Sequence, residues 1–139
     1  MARLSNTPLD NKTYRQILDT LDLVLGKLKK EEVRHFLFSL LGKNERIMVA
    51  KRFTAILLLK QGLRMTDISK ALKLTIGTVR RLNMTMQIKN EGFDLAFKKI
   101  SREKMKQEVR DILLGLGKGA AEVFLNWRVK PPNDYPYKK

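Results

Sequence analysis

Two short helical patterns meet at a tight corner within the run Gly62-Leu-Arg-Met-Thr-Asp-Ile-Ser-Lys-Ala-Leu-Lys-Leu-Thr-Ile-Gly-Thr-Val-Arg-Arg81. Ile68, Ala71 and Leu72 share one face of the first helix, at three- and four-residue spacing. Leu74 falls in the corner, and Ile76 and Val79 face inward from the second helix. This spacing predicts a helix-turn-helix over residues 62–88, a unit that can lay its second helix in the major groove of DNA. Thr75, Gly77, Thr78, Arg80 and Arg81 then lie on or near the outer face. They are small, hydroxylated or cationic, as a groove requires.

Charge points to the same partner. The chain has 29 Lys+Arg against 14 Asp+Glu, a formal net charge of +15, so a polyanion is the expected partner. Between Lys51 and Arg81 the basic residues are Lys51, Arg52, Lys60, Arg64, Lys70, Lys73, Arg80 and Arg81, and the only acid is Asp67. A solvated face is the plain alternative, but the run coincides with the motif, which favours an electrostatic footprint for double-stranded DNA. Cysteine is absent, which removes disulfides, thiolate catalysis and thiolate metal sites and suits a reducing cytoplasm. The opening residues Met-Ala-Arg-Leu-Ser-Asn-Thr-Pro carry no apolar h-region, so no signal peptide is expected. The apolar run Ala55 to Leu59 is too short to span a bilayer, and no membrane partner is expected.

The rest of the chain reads as helix, so the fold class is all-α. Residues 1–8 form a leader. Pro8 can open a first helix, capped by Asp10 or Asn11, with Tyr14, Ile17, Leu18, Leu21, Val24, Leu25 and Leu28 as an apolar stripe and Lys29 and Lys30 at its C-terminal end. A second helix begins near Glu31 or Glu32 and stops at Gly42. Its Val33, Phe36, Leu37, Phe38, Leu40 and Leu41 cover more than one side, which predicts burial between other helices. A third helix runs from Asn44 to Gln61, is stopped by Gly62, and is also apolar on more than one face. Two adjacent helices this apolar are hard to cover within one small chain. That predicts a homodimer with interlocked helices, against the alternative of a monomeric core covered by the first and last helices.

Lys89-Asn90-Glu91-Gly92 signals a turn, followed by one or two helical turns through Phe93, Leu95, Ala96, Phe97 and Ile100. Ser101 can cap another helix with Met105, Val109, Ile112, Leu113 and Leu116 inside. Gly115-Leu-Gly-Lys-Gly119 interrupts it, Ala120 to Trp127 can resume, and Pro131, Pro132 and Pro136 mark a tail. The domain reading is therefore 9–100 for the helix-turn-helix domain, 101–130 for a C-terminal helical extension and 131–139 for the tail.

Three segments in order, Leu40-Leu-Gly-Lys-Asn-Glu-Arg46, Ala50-Lys-Arg-Phe-Thr-Ala-Ile-Leu-Leu-Leu-Lys-Gln-Gly62 and Ile76-Gly-Thr-Val-Arg-Arg-Leu-Asn83, resemble the Trp-repressor superfamily. Asn90-Glu-Gly-Phe-Asp-Leu is similar to its YerC/YecD branch, and the likeness covers about residues 31 to 100. The resemblance implies an intertwined all-α homodimer that binds operator DNA. It also implies a ligand pocket held by two arginines, which match Arg52 and Arg81. Two pocket positions depart from the family: Gly42 stands for a threonine, and Leu82 stands for a small glycine. A leucine there fills space that tryptophan needs, so tryptophan is not the expected ligand, and a different small-molecule corepressor is left open. Phosphate contact or an ion pair is the competing role for both arginines.

On this reading Thr75 and Thr78 can donate to phosphates or base edges, and Gly77 lets the backbone approach the groove floor. Ile76, partly core, can meet a thymine methyl. Arg80 suits guanine O6 and N7, and Thr66, Lys70 and Lys73 set register on the backbone. Glycine at 77 can equally be a tolerated weak helix residue, and each arginine a nonspecific phosphate contact. The second basic run, Lys98, Lys99, Arg102, Lys104, Lys106 and Arg110, reads as a solvated face. His35 alone reads as a core or interface histidine. Gly115-Leu-Gly-Lys-Gly119 fits neither phosphate-loop spacing. No enzyme, cofactor or metal is expected. The function expected is sequence-specific transcriptional regulation, as a repressor. The competing classes are an architectural nucleic-acid binder and a helix-turn-helix protein-interaction module.

Overall fold

The computed structural model describes residues 8–116, and among them the chain is helical with no strand. Seven helices follow in order: α1 Asn11–Lys27, α2 Lys30–Leu40, α3 Lys43–Lys60, α4 Met65–Leu72, α5 Ile76–Ile88, α6 Asn90–Lys98 and α7 Arg102–Gly115. The chain divides into two compact units, residues 1–49 and 50–139, and the division falls within α3.

In the first unit, Asp10 caps α1 by accepting from the Thr13 backbone N–H, as its residue type predicts. The helix ends earlier than expected. Leu28 is extended, so Lys29 and Lys30 are not its final cations; they begin α2 instead. Glu32 holds that start by accepting from the Lys29 N–H at 2.9 Å.

The corner between α2 and α3 is built by the Glu45-Arg46 pair. Glu45 Oε2 accepts from the Gly42 N–H at 2.7 Å, satisfying a donor at the head of α3. Arg46 turns the other way. Its Nη1 donates to the Phe38 and Leu41 carbonyls, both at 2.9 Å, and its guanidinium lies 4.0 Å from the Phe38 ring centroid. One residue thus serves the start of α3 and the next serves the end of α2.

The expectation that α2 is buried between other helices fails: α1 and α2 have no buried residue, and Phe38 is 64 % exposed. Tyr14, Ile17, Leu23, Leu40, Ile47, Met48 and Val49 are exposed as well. Apolar residues on several sides are the sign of a helix needing cover, and within the first unit no residue of α1 or α2 is buried. His35 is exposed, so it is not a core histidine.

The second unit has a closed core. Five consecutive residues of α3, Ala55 to Leu59, are buried, which seats this end of the helix among neighbours on all sides. Gly62 ends the helix at φ 84°, a conformation glycine enters without steric penalty. Ile68 and Leu72 of α4 and Val79, Leu82 and Met86 of α5 complete the inner faces of the helix-turn-helix. Each such side chain contributes about 1.5–3 kcal/mol on burial.

The segment read as a turn at 89–92 is mostly helix. Only Lys89 breaks the path, and α6 begins at Asn90. Ser101 caps α7 by accepting from the Lys104 N–H at 3.2 Å. Met105, Val109 and Leu113 of α7 enter the same core as the helix-turn-helix, Ile112 packs at its edge, and Leu116 is exposed rather than inward. The expected helix at 120–127, the tail and most of the leader lie outside the described residues.

Candidate nucleic-acid interface

The turn between α4 and α5 is set by local hydrogen bonds. Lys73 takes the left-handed conformation, at φ 54° and ψ 48°, and reverses the chain. Ser69 then grips the corner twice: its carbonyl accepts from the Leu74 N–H, and its hydroxyl donates to the Leu74 carbonyl at 2.6 Å. Leu74 packs at the core edge, which anchors the corner from inside.

Thr75 is the N-cap of α5. Its hydroxyl accepts from the Thr78 N–H at 3.2 Å and lies 2.9 Å from the Thr78 hydroxyl. Arg81 Nη2 donates to that Thr78 hydroxyl at 3.2 Å. The structure therefore brings Thr75, Thr78 and Arg81 into one chain of hydrogen bonds along the first turns of α5. Whichever threonine donates between the two, one hydroxyl proton is left for an outside acceptor.

The remaining candidates are outward-facing but separate. Thr66 and Lys70 are exposed on α4, Lys73 is exposed in the turn, and Arg80 is exposed on α5 with no side-chain hydrogen bond among the described residues. Ile76 and Thr78 are half-buried. A Cβ built on Gly77 meets nothing within 4 Å, so no internal packing requires glycine there.

Electrostatics reinforce the position. Asp67, the one acid of the run, is held by Arg64 through Nε at 2.9 Å. Lys60 is tied to Asp94 at 2.6 Å. Lys51, Arg52, Lys70, Lys73, Arg80 and Arg81 have no acidic partner among the described residues, so their charge is uncompensated. The second basic run differs. Lys104 pairs with Glu108 at 2.8 Å, a hydrogen bond that raises its pKa above the ordinary lysine value. Glu103 and Asp111 further balance α7, consistent with a solvated face.

The family model described as Trp repressor protein matches residues 15–101. The chain belongs to that family. Comparison with curated proteins and with solved structures returned no match. The Trp repressor family are helix-turn-helix DNA-binding regulators, and the all-α fold agrees with membership. Helix α7 begins just beyond the matched residues, yet it supplies three side chains to the core.

Arg52 and Arg81, expected from the resemblance to match a ligand pocket, are both exposed, and neither is ion-paired among the described residues. Leu82 is buried in the core. Among the described residues, no cluster of His, Asp or Glu could hold a metal. No described helix is long and apolar enough to cross a membrane.

One arrangement escaped the sequence reading. Lys60 Nζ donates to Asn90 Oδ1 and Asp94 Oδ1, and Asn90 Nδ2 donates to Asp94 Oδ2 at 2.7 Å. This cluster ties the end of α3 to the junction of α5 and α6. Its only sequence signal was the four-residue spacing of Asn90 and Asp94, hidden because Asn90-Glu-Gly reads as a turn.

Proposed function

We propose that this protein is a sequence-specific, double-stranded-DNA-binding transcriptional repressor that acts as a homodimer. The observation that carries the reading is the outer face of the helix-turn-helix, where uncompensated cations surround a recognition helix that is well capped and firmly seated. Arg80 reads guanine from the major groove. Thr66, Lys70, Lys73, Thr75 and Thr78 hold phosphates or base edges, with Ile76 against a thymine methyl and Gly77 allowing close approach. Arg52 and Arg81 act on the DNA backbone rather than on tryptophan. Burial of Leu82 supports this, as does the Arg81–Thr78 hydrogen bond, which directs the guanidinium along the recognition helix.

A second copy of the chain is the cover proposed for the first unit. Its helices leave aromatic and branched apolar side chains in water, which isolated soluble domains avoid at this scale. Two-fold symmetry then requires a pseudo-palindromic site with half-sites about one helical turn or more apart.

Selection of sites from a random duplex pool at moderate salt tests the reading. An enriched pseudo-palindrome is expected. Binding without enrichment overturns sequence-specific control, and absence of binding overturns DNA recognition altogether.

A further inference from the structure

We propose that segment 120–127 of this chain folds back along α7 as a strap and seats Trp127 in the groove between the end of α3, α6 and the start of α7. The groove has a volume of about 280 Å³ and lies within the second unit. Phe97, Ile100 and Met105 give it an apolar floor. Lys98 and Arg102 also line it, and both are exposed. Asp94, the one acid lining it, is bonded to Lys60 and Asn90. An indole suits these walls. Its body is apolar, and its negative π face attracts cations without bringing a charge into the groove.

An apolar edge of α7 leads from the groove to the point where residue 117 begins. Met105, Ile112 and Leu116 follow at spacings of seven and four, so they share one line along the helix. Met105 lines the groove, Ile112 is half-buried at the edge of the core, and Leu116 is exposed at the C-cap. The sequence of 120–127, Ala-Ala-Glu-Val-Phe-Leu-Asn-Trp, has the complementary pattern. At the helical period Ala120, Val123, Phe124 and Trp127 fall on one face, with Glu122 and Asn126 opposite. Gly117 and Gly119 flank the reversal, where glycine enters the conformations that a tight turn needs. The reach is sufficient. Leu116 back to Met105 is about 16 Å along a helix. A helix of 120–127 spans about 12 Å, and three linking residues add up to about 10 Å.

Like α7, the strap lies past the residues 15–101 matched by the family model, so it belongs to this chain's own C-terminal part. Lys60 and Asp94 also line the groove, and with Asn90 they tie α3 to the junction of α5 and α6. A seated ring shields this ion pair from water, which strengthens it. The strap therefore reinforces the support of the helix-turn-helix. The proposal does not depend on what the helix-turn-helix binds.

Trp127 is the one tryptophan of the chain, so indole fluorescence of the full chain reports its seat directly. Emission to the blue of the urea-unfolded chain is expected, with reduced quenching by acrylamide. Ile100→Glu, at an exposed position, puts a carboxylate where the indole face would lie. It should shift the emission to the red and raise quenching while circular dichroism stays helical. If that variant loses its helical signal, Arg102→Gln decides, since removing a cation beside the ring should also raise quenching. Emission as red as in the unfolded chain overturns the docking. Emission and quenching unmoved by both variants overturn the groove as its seat. Co-refolding with an excess of a chain carrying Ile100→Glu and Trp127→Ala separates docking within one chain from exchange between copies. Unchanged blue emission supports docking within one chain, and a red shift overturns it in favour of the groove of a second copy.

Discussion

Arg80 and Arg81 are neighbours with the same chemistry but different surroundings. The Arg81 side chain is held by Thr78, whereas the Arg80 guanidinium makes no hydrogen bond among the described residues. On the proposed reading, base reading falls to Arg80, because a bidentate contact to guanine needs an uncommitted guanidinium. Arg80→Ala should flatten base preference at one position of each half-site, with a loss of about 1–3 kcal/mol on the preferred sequence. Binding measured on a panel of single-base variants checks this, and an equal loss on every sequence would make Arg80 a phosphate contact. Lys73 offers the opposite case. Its left-handed backbone is unfavourable for a residue with a Cβ, so Lys73→Gly should stabilise the fold by up to about 1 kcal/mol. The same change removes a cation and should weaken binding to all duplexes alike. Thermal melts and duplex titrations should therefore move in opposite senses. Gly77→Ala is predicted to behave similarly, since the added methyl meets open space within the protein. It should raise helix stability by up to about 1 kcal/mol and reduce DNA affinity. Unchanged affinity would leave Gly77 as a tolerated weak helix residue.

At the scale of elements, α7 has the largest consequence. It lies past the matched family residues, and its Met105, Val109 and Leu113 enter the core that supports α4 and α5. Leu113 is fully buried, so Leu113→Ala should cost about 2–5 kcal/mol. Denaturant unfolding of the full chain measures this. A change below about 0.5 kcal/mol, the range of ordinary surface positions, would show that α7 is dispensable to the core. The helix boundaries were largely legible because caps and stops are local chemistry. Asp10, Thr75 and Ser101 each accept from the backbone N–H three residues on, and Gly62 takes the positive φ that ends α3. The start of α6 was not legible. Asn-Glu-Gly carries turn propensity, and only the distant Lys60 draws Asn90 and Asp94 into a helical pair.

For the molecule as a whole, the contrast between the two units decides what to measure. The second closes a core around α3, while the first leaves its apolar residues exposed. If a second copy covers them, sedimentation of the chain should give twice the monomer mass of 16.1 kDa at micromolar concentration. Charged substitutions at Ile17 and Phe38 should shift the mass towards one chain and weaken binding to a palindromic duplex far more than to a half-site. A stable monomer that binds as tightly would overturn the dimer.

By itself the sequence determined the helical class, the helix-turn-helix corner and the outward set around Arg80. These follow from residue periodicity, capping side chains and charge, all readable within a few turns of one helix. It also carried the apolar excess of α1 and α2 but not its cover, since hydrophobicity is non-directional and names no partner. Tertiary structure alone decided that Leu82 fills the core, that α7 belongs to the same core, and that Lys60 reaches across 30 residues to Asn90. Those outcomes depend on which faces meet in space, and no local pattern encodes that meeting.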